Sequence, residues 1–573
     1  MEDFTDKWSK TVINKRVYIL VVSAILLFVS TMIIYKYPLK YDNSFEMFML
    51  KDDPNIKTFE NFRDHFGDAE YLTIGIEVRE KDIDLFNSDT IELIHEITTM
   101  LENHEHVSKV NSLSKYQYTH NKDGLLSTDY LFPNVDEEPL SSGALSTARD
   151  IILGEKLAIN SIVTKDLKHS RIIARTEYIR YENDHKVKVS QDIYNFLKKK
   201  NYESKGYRIR LGGGAIISER FETLSRLDAK ILNPLVAVIF CVVLYFLFGS
   251  FLVCFLPWVL IGSGALFVSS LQAFFNFPMT VVASALLPTI MIIGMGVSVH
   301  ILSEFFNIRK LSYKPIDASK KVIRNLFQPI LFTALTTSMG FIALSITNLV
   351  PVKQYAVLTA LGSLIMFLVS MTTFIAALSF ITWMPKQRHF WFADRVISSF
   401  TEFLPSLVYK YRSSVSLIAI MLVLFCCFTV PRITVDSNIF NYFKSNNWVT
   451  EDMHYFDKKY KFSGIELIVD SEVVDGIKNP DFLKDVEKLQ SFLNSLKETG
   501  QVNSAIDYLK QTRQALNQDN TKYFILPDTP EMTAQLLLLY INSGPDDDLS
   551  DQIDFERRYL RIGVPVENSS AKE

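Results

Sequence analysis

Cysteine is scarce in this sequence: Cys241, Cys254, Cys426 and Cys427 are the only four, and all lie inside apolar stretches. The polar segments therefore contain no thiol, and no disulfide can brace them whatever their redox compartment. Charge is absent over one long stretch, with no Asp, Glu, Lys or Arg in the 72 consecutive residues from Ile231 to Leu302. That excludes a soluble, secreted or disordered chain, because a membrane-spanning helix needs about 20 mostly apolar residues and this stretch holds three. The net charge of −4 gives no reason to expect nucleic acid as a partner. Also missing are a Gly-Lys-Ser/Thr phosphate loop, a nucleophile elbow and a zinc-binding histidine pair, so the sequence offers no enzyme chemistry. It implies no cofactor.

Further uncharged windows run from Val17 to Tyr35, Asn325 to Val352, Gln354 to Pro385 and Ser413 to Pro431, giving seven expected spans. Pro257, Pro288 and Pro329 lie within or beside these windows, which membrane helices tolerate where neighbours re-satisfy the freed backbone groups. The first window is longer than a signal-peptide core and no small-residue cleavage site follows, so it reads as an anchor. Basic residues set the orientation. With the N-terminus inside, the cytoplasmic segments hold Lys7, Lys10, Lys15 and Arg16, then Arg309, Lys310, Lys314, Lys320, Lys321 and Arg324, then Lys386, Arg388, Arg395, Lys410 and Arg412. The short outer loops hold only Lys353. Two large polar segments, roughly 36–230 and 432–573, then lie outside. The basic stretch from Glu304 to Arg324, with Leu311, Ile316 and Val322, reads as an amphipathic helix that could lie on lipid headgroups.

The first outer segment alternates strand and helix patterns. Tyr71 to Val78 is expected as a strand, Ser88 to Asn103 as an amphipathic helix and Val107 to Leu113 as a second strand. Two strand-like runs between Ile159 and Ile179, turning at Leu167 and Lys168, predict a hairpin. A helix at about Lys186 to Lys199 and a strand at Tyr207 to Leu211 complete the α/β set. Gly212 to Gly214 then reads as a sharp bend into the next helix.

The two halves echo each other. Arg16, an apolar span and Asp42-Asn43-Ser44-Phe45 recur as Arg412, an apolar span and Asp436-Ser437-Asn438-Ile439. Phe59, Phe62 and Phe66 before the first strand correspond to Tyr455, Phe456 and Tyr460 before GIELIVDS. LLLYINSG and ERRYLRIGVPV are expected to repeat the hairpin. The pattern is one span and one α/β domain, five spans, then the same unit again, a parallel repeat of the kind transporters use.

This layout, with NSFEMFMLKDDPNIKTFENFRDHFG, LLPTIMIIGMGVSVHILSEF, LFTALTTSMGFIALSI and VKQYAVLTALG, resembles the resistance-nodulation-division (RND) superfamily, closest to MMPL-like exporters with a sterol-sensing-type core. The resemblance implies an α-helical polytopic membrane protein with α+β ferredoxin-like extracytoplasmic domains, about seven transmembrane helices and a truncated parallel repeat. It further implies proton-driven export of hydrophobic or lipid-like substrates across the cell (inner) membrane. The expected domains are 1–36, N-terminus and first span; 37–228, first outer domain; 229–384, five-span core; 385–412, cytoplasmic linker; 413–431, seventh span; and 432–573, an incomplete second outer domain. The partners are membrane lipids, a hydrophobic small-molecule or lipid substrate, and either a second-half polypeptide or a homo-oligomer.

Proton coupling needs a titratable group within the membrane. The family carries aspartate in the fourth span, whereas here Gly294-Met295-Gly296-Val297-Ser298-Val299 holds no carboxylate and His300 is the only titratable candidate. Its unperturbed pKa of about 6.5 suits proton exchange. A neutral histidine bonded to a neighbouring helix fits the same position. The proton-relay candidates are His300, Ser298, Glu304, Thr333, Thr336 and Thr337, with Thr333, Thr336 and Thr337 at three- and four-residue spacing on one helix face. Gly294, Gly296 and Gly340 are expected to allow close helix packing. A lipid-sensing or scaffold protein that transports nothing is the alternative function.

Overall fold

The computed structural model describes residues 2–43, 45–48, 54–67, 70–80, 82–133, 135, 139–177, 184–384, 403–405, 407–433, 438, 442–461, 463–544 and 549–568. In chain order, the elements begin with α1 (Glu2–Asn14), α2 (Arg16–Lys36), α3 (Pro54–Phe66), β1 (Tyr71–Val78), α4 (Ser88–Glu102) and β2 (Val107–Asn111). They continue with β3 (Gln117–Lys122), β4 (Leu125–Tyr130), α5 (Ser142–Gly154), β5 (His169–Thr176), α6 (Asp184–Lys200) and β6 (Tyr207–Gly213). Next come α7 (Gly214–Phe248), α8 (Phe251–Phe274), α9 (Leu286–Lys310), α10 (Pro315–Ala343) and α11 (Val350–Leu378). The last are α12 (Arg412–Thr429), α13 (Trp448–Tyr460), β7 (Ser463–Asp470), α14 (Pro480–Ser495), β8 (Asn503–Ser504), α15 (Ala505–Leu516), α16 (Pro530–Ser543) and β9 (Tyr559–Val566). Most of the linker expected over 385–412, including Lys386, Arg388 and Arg395, lies outside the described residues, as do Ser44, Asp436, Ser437 and Ile439 of the repeated signature.

Seven helices among the described residues are long and apolar enough to cross a membrane: α2, α7, α8, α9, α10, α11 and α12. The chain divides into two compact units, one of Met1–Asp53 with Phe221–Val435 and one of Pro54–Arg220 with Asp436–Glu573. In the first, a core of Leu260, Ile290, Ile301, Leu302, Phe305, Val322, Ile323 and Met366 joins α8 to α11. Hydroxyls stitch the spans together, Ser23 to Thr373 at 2.6 Å, Ser30 to Ser270 at 3.2 Å and Thr289 to Tyr355 at 3.0 Å, as polar groups do where no water competes. Pro257 and Pro329 sit inside α8 and α10, and α11 passes through a π-turn at Ser370–Phe374. The Met371 carbonyl in that turn accepts the Trp8 indole N–H at 3.3 Å. By contrast, α12 buries no described residue.

The amphipathic helix expected between Glu304 and Arg324 is not a separate element. α9 runs to Lys310, the chain turns through Ser312 at φ 68°, and α10 begins at Pro315. Leu311 is exposed while Val322 belongs to the core. Those charges cap two membrane helices. The amphipathic helix is α1, which buries Val12 and Ile13, packs Trp8 against Phe327 at 5.9 Å between ring centroids, and pairs Asp6 with Arg324 of α10.

The α/β unit holds a four-stranded sheet in the order β2-β5-β1-β6, the β3–β4 hairpin, and a three-stranded sheet in the order β7-β9-β8, all antiparallel. Leu72, Ile74 and Ile76 of β1 are fully buried, each contributing about 1.5–3 kcal/mol. α4 forms because Asn87 accepts the Thr90 N–H at 2.9 Å and Ile91, Ile94 and Leu101 line one buried face. Of the expected hairpin the second run is β5 and the turn falls at Leu167, at φ 53°, with Val163 opposite Ser170, whereas the first run is a loop. Ile159 and Val163 form only isolated bridges, because tight turns, among them Asn160 N–H to Val163 carbonyl at 2.7 Å, take up the backbone groups that a strand would offer its neighbour. LLLYINSG likewise is helix: Thr529 caps the Met532 N–H at 3.2 Å, Pro530 takes the first turn, and Thr533, Leu536, Leu537 and Tyr540 make a helical buried stripe.

The helix preceding each sheet packs on the other sheet. α13 lies on β1, β5 and β6, with Asp452 bonded to Arg210 Nη1 at 2.8 Å and to the Leu211 N–H at 2.9 Å, and with Arg171 over the Tyr460 ring at 4.6 Å. Reciprocally, α3 lies on β9, with Arg561 over the Phe62 ring at 5.1 Å and His65 against Tyr559 at 4.5 Å. His169 sits in the first of these contacts, its Nδ1 3.1 Å from the Tyr455 hydroxyl. Burial, then Lys459, holds its pKa below the ordinary imidazole value, against the opposing pull of Asp166 and Glu77. The folded state therefore binds fewer protons at His169 than the unfolded chain. That contribution to stability is complete above about pH 6.5 and is lost as the pH falls through the window below it. Amide exchange of α13 is expected to quicken relative to the rest of the unit between pH 7 and 5, and His169→Gln is expected to flatten that dependence.

Candidate functional site

α9 is continuous through the segment Gly294–His300. Its buried face carries Ile290, Gly294, Met295, Ser298, Ile301 and Phe305. Its opposite face is exposed at Ile292, Gly296, His300, Ser303 and Asn307, a stripe at three- and four-residue spacing. His300 thus lies on the exposed face of the helix, and it forms no hydrogen bond or ion pair with a described residue. Ser298 points the other way: it is fully buried and its hydroxyl donates to the Gly294 carbonyl. Glu304 is half-buried one turn further along and accepts from Asn325 Nδ2 at 2.7 Å, tying α9 to α10.

On α10, Thr333 and Thr336 are exposed. Thr333 donates to the Pro329 carbonyl at 2.9 Å, and Thr336 to the carbonyls of Phe332 at 2.9 Å and Thr333 at 3.0 Å. Such back-bonding satisfies hydroxyls within their own helix and leaves an acceptor lone pair free. Thr337 is half-buried. No described hydrogen bond links His300 to these threonines; the structure joins only Gly294 with Ser298, and Thr333 with Thr336.

The three glycines differ. A Cβ on Gly294 would lie 2.3 Å from Met366 Cε and 2.9 Å from Ile261 Cγ1, whereas no atom lies within 4 Å of that position at Gly296 or Gly340. Two glycines that the sequence reading passed over are equally crowded. A Cβ on Gly264 would meet Met366 Sδ at 2.0 Å, and one on Gly362 would meet Ile290 Cδ1 at 2.4 Å. α8, α9 and α11 therefore approach through Gly264, Gly294 and Gly362, with Met366 filling the space at the first two and Ile290 at the third. The available signal was Gly264 in Gly-Ser-Gly and Gly362 in Leu-Gly-Ser, small residues in otherwise bulky spans.

Two concavities accompany the helices. An apolar groove of about 700 Å³ between α7 and α8 is lined by Cys241, Tyr245, Phe251, Cys254, Phe255 and Trp258. Within the α/β unit, a polar cavity of about 450 Å³ is lined by residues around β2 together with Tyr508, Tyr540 and Asp551. Asp551 there is held by Lys109 at 3.0 Å and Arg175 at 2.8 Å. Among the described residues no group of histidine, cysteine and carboxylate side chains is arranged to hold a metal ion.

Seven helices long and apolar enough to cross a membrane define a multi-pass membrane protein. The chain belongs to the MMPL family, whose family model matches residues 48–396 and which is part of the RND superfamily of transporters. A search of curated proteins finds no match to the chain.

Proposed function

We propose that this protein exports hydrophobic or lipid-like substrates across the cell (inner) membrane, driven by the proton gradient. The observation that carries the reading is the family match, which extends across the five central spans and so includes the helix whose one titratable side chain within the apolar span, His300, lies on an exposed face. In this reading His300 takes the place of a membrane carboxylate. Glu304, Thr333, Thr336 and Thr337 supply a carboxylate and hydroxyls for a relay, Gly294 admits the close packing of Met366 and Ile261, and Gly296 and Gly340 leave room for helix movement. Membrane lipids are immediate partners, and the groove between α7 and α8 offers an acyl chain a wholly apolar wall.

The domain plan follows. Residues 1–36 hold a cytoplasmic N-terminus and the first span, 37–228 a first outer domain and 229–384 the core with its sterol-sensing-type character. A cytoplasmic linker at 385–412 leads to the seventh span at 413–431 and a second outer domain at 432–573. The strand order β2-β5-β1-β6, with α4 between β1 and β2 and α6 between β5 and β6, supports a ferredoxin-like first domain. The order β7-β9-β8, matching β1-β5-β2, and the reciprocal packing of α3 and α13 support a repeat.

The test is efflux of a fluorescent lipid from proteoliposomes under an imposed proton gradient. Gradient-driven efflux is expected to fall at least tenfold in His300→Ala at unchanged folding. Wild-type efflux that survives collapse of the gradient would end the coupling part of the proposal.

A further inference from the structure

α11 changes register midway along its length. The π-turn at Ser370–Phe374 holds one residue more than an α-helix would, a rare arrangement that recurs at functional sites. Nothing local forces it, because the run from Val369 to Leu378 contains neither proline nor glycine, the common causes of an irregular helix. The turn is deeply set, with Ser370, Met371 and Phe374 at most 1% exposed. Two other helices reach into it. Trp8 of α1 donates its indole N–H to the Met371 carbonyl at 3.3 Å, and the Ser23 hydroxyl of α2 meets that of Thr373 at 2.6 Å. α1 is itself held along one face. Its Phe4 and Trp8 rings lie 5.7 and 5.9 Å from that of Phe327 in α10, and Asp6 pairs with both Arg324 and Lys10. Phe327 in turn packs edge-on against Phe367 of α11, 5.3 Å between centroids.

We infer that α1 is a clasp that sets the register of α11, holding the π-turn against reversion to α-helix. An α-helix turns by about 100° per residue, so expelling the extra residue would rotate the segment after the turn by about that angle relative to the segment before it. Ile375 and Leu378, now 0% and 1% exposed, would leave the core. Gly362 and Met366, before the turn, would keep their close contacts with α8 and α9. The two registers are discrete states of a core helix, and Trp8 and Ser23 favour one of them. Release of α1 is then the event that lets the bundle rearrange. The inference goes beyond the export proposal and does not depend on it, so failure of the efflux assay would leave it standing.

The test is the distance between two nitroxides, attached through Ala377→Cys in α11 and Leu311→Cys at the end of α9, in the full-length protein in nanodiscs with Cys241, Cys254, Cys426 and Cys427 replaced by serine. Trp8→Phe keeps a ring against Phe327 and removes only the N–H. It is expected to raise a second distance population roughly fivefold, the effect of losing one hydrogen bond, and Ser23→Ala is expected to raise it further. That population should be displaced by roughly 5 Å, the swing of a side chain on a helix about 10–12 Å wide. In a second arm Thr372 is deleted, which removes the extra residue and leaves an α-helix with the later segment in its present orientation. There Trp8→Phe is expected to change nothing. One unchanged distance in Trp8→Phe, alone and combined with Ser23→Ala, would overturn the proposal. So would a second population that Trp8→Phe raises equally in the deletion variant. The first arm decides by itself where the deletion variant does not fold.

Discussion

Gly213→Val is expected to prevent normal folding of the α/β unit. β6 passes into α7 without a loop, and the bend is made at Gly213, whose φ of 99° lies where L side chains are strained. A Cβ there would sit 1.9 Å from the Tyr71 carbonyl oxygen and 2.8 Å from its carbon. Both atoms are backbone in β1, the strand that pairs with β6, so no rotamer change can relieve the overlap. The strained backbone costs about 1–3 kcal/mol and the forced displacement another 1–3 or so, against a total stability of about 5–15 kcal/mol for an ordinary domain. Loss of slow-exchanging amides in β1 and β6 of the purified full-length protein is the readout. Gly214→Ala is the control: a Cβ there meets only the Glu70 side chain, no closer than 3.5 Å, and alanine favours the helix that begins at this residue. Equal damage from both substitutions would show that the bend does not depend on Gly213.

That junction was legible in the sequence, as were the spans. A run without charge has one physical explanation at this length, and the helices α2 and α7 to α12 fall where the uncharged windows place them. β1 and α4 were legible for a related reason, since Leu72, Ile74 and Ile76 set a period of two in the strand and Ile91, Ile94 and Leu101 a helical period in the helix. The losses came where local signals compete. LLLYINSG has strand-like composition, yet the Thr529-Pro530 start and a buried stripe at helical spacing prevail. The β3–β4 hairpin was missed although Asp123 and Gly124 mark it, both at positive φ, 53° and 86°, as a two-residue hairpin turn requires. The outward aim of His300 could not be read at all. Which side of an apolar helix faces its neighbours depends on how the helices pack, and here that is set by Gly264, Gly294 and Gly362, three residues far apart in the chain. Sequence could nominate the imidazole, whereas only the packing shows that no described residue bonds to it.

Asp452→Ala is expected to release α13 from the first sheet, at a cost of about 3–5 kcal/mol to the α/β unit. The substitution removes two bonds together, to Arg210 Nη1 and to the Leu211 N–H. It also leaves the Arg210 side chain, 8% exposed, without its nearest carboxylate; Glu77 and Glu451 remain at 3.6 Å each. Arg210→Ala is expected to cost less at low pH. Burial already pushes the Asp452 carboxyl above the ordinary carboxylate range against the pull of Leu211 and Arg210, so without the guanidinium it escapes isolation by taking up a proton. A folded-state pKa raised above that of the unfolded chain makes stability fall as pH rises through the raised value. The Arg210→Ala protein should therefore lose stability between about pH 4, the unperturbed carboxylate value, and neutrality, a slope that Asp452→Ala lacks. The double variant Arg210→Met with Asp452→Leu separates the pair from its burial. It is expected to recover most of the lost stability, because apolar side chains of similar volume replace a buried pair at little cost. Exchange of the Trp448–Tyr460 amides reads all three variants. If the double variant recovers stability while α13 still exchanges fast, the pair serves to place the helix on that sheet more than to hold the fold together. The reciprocal seating of α3, where Glu466 grips Arg561 beneath Phe62, should then obey the same rule.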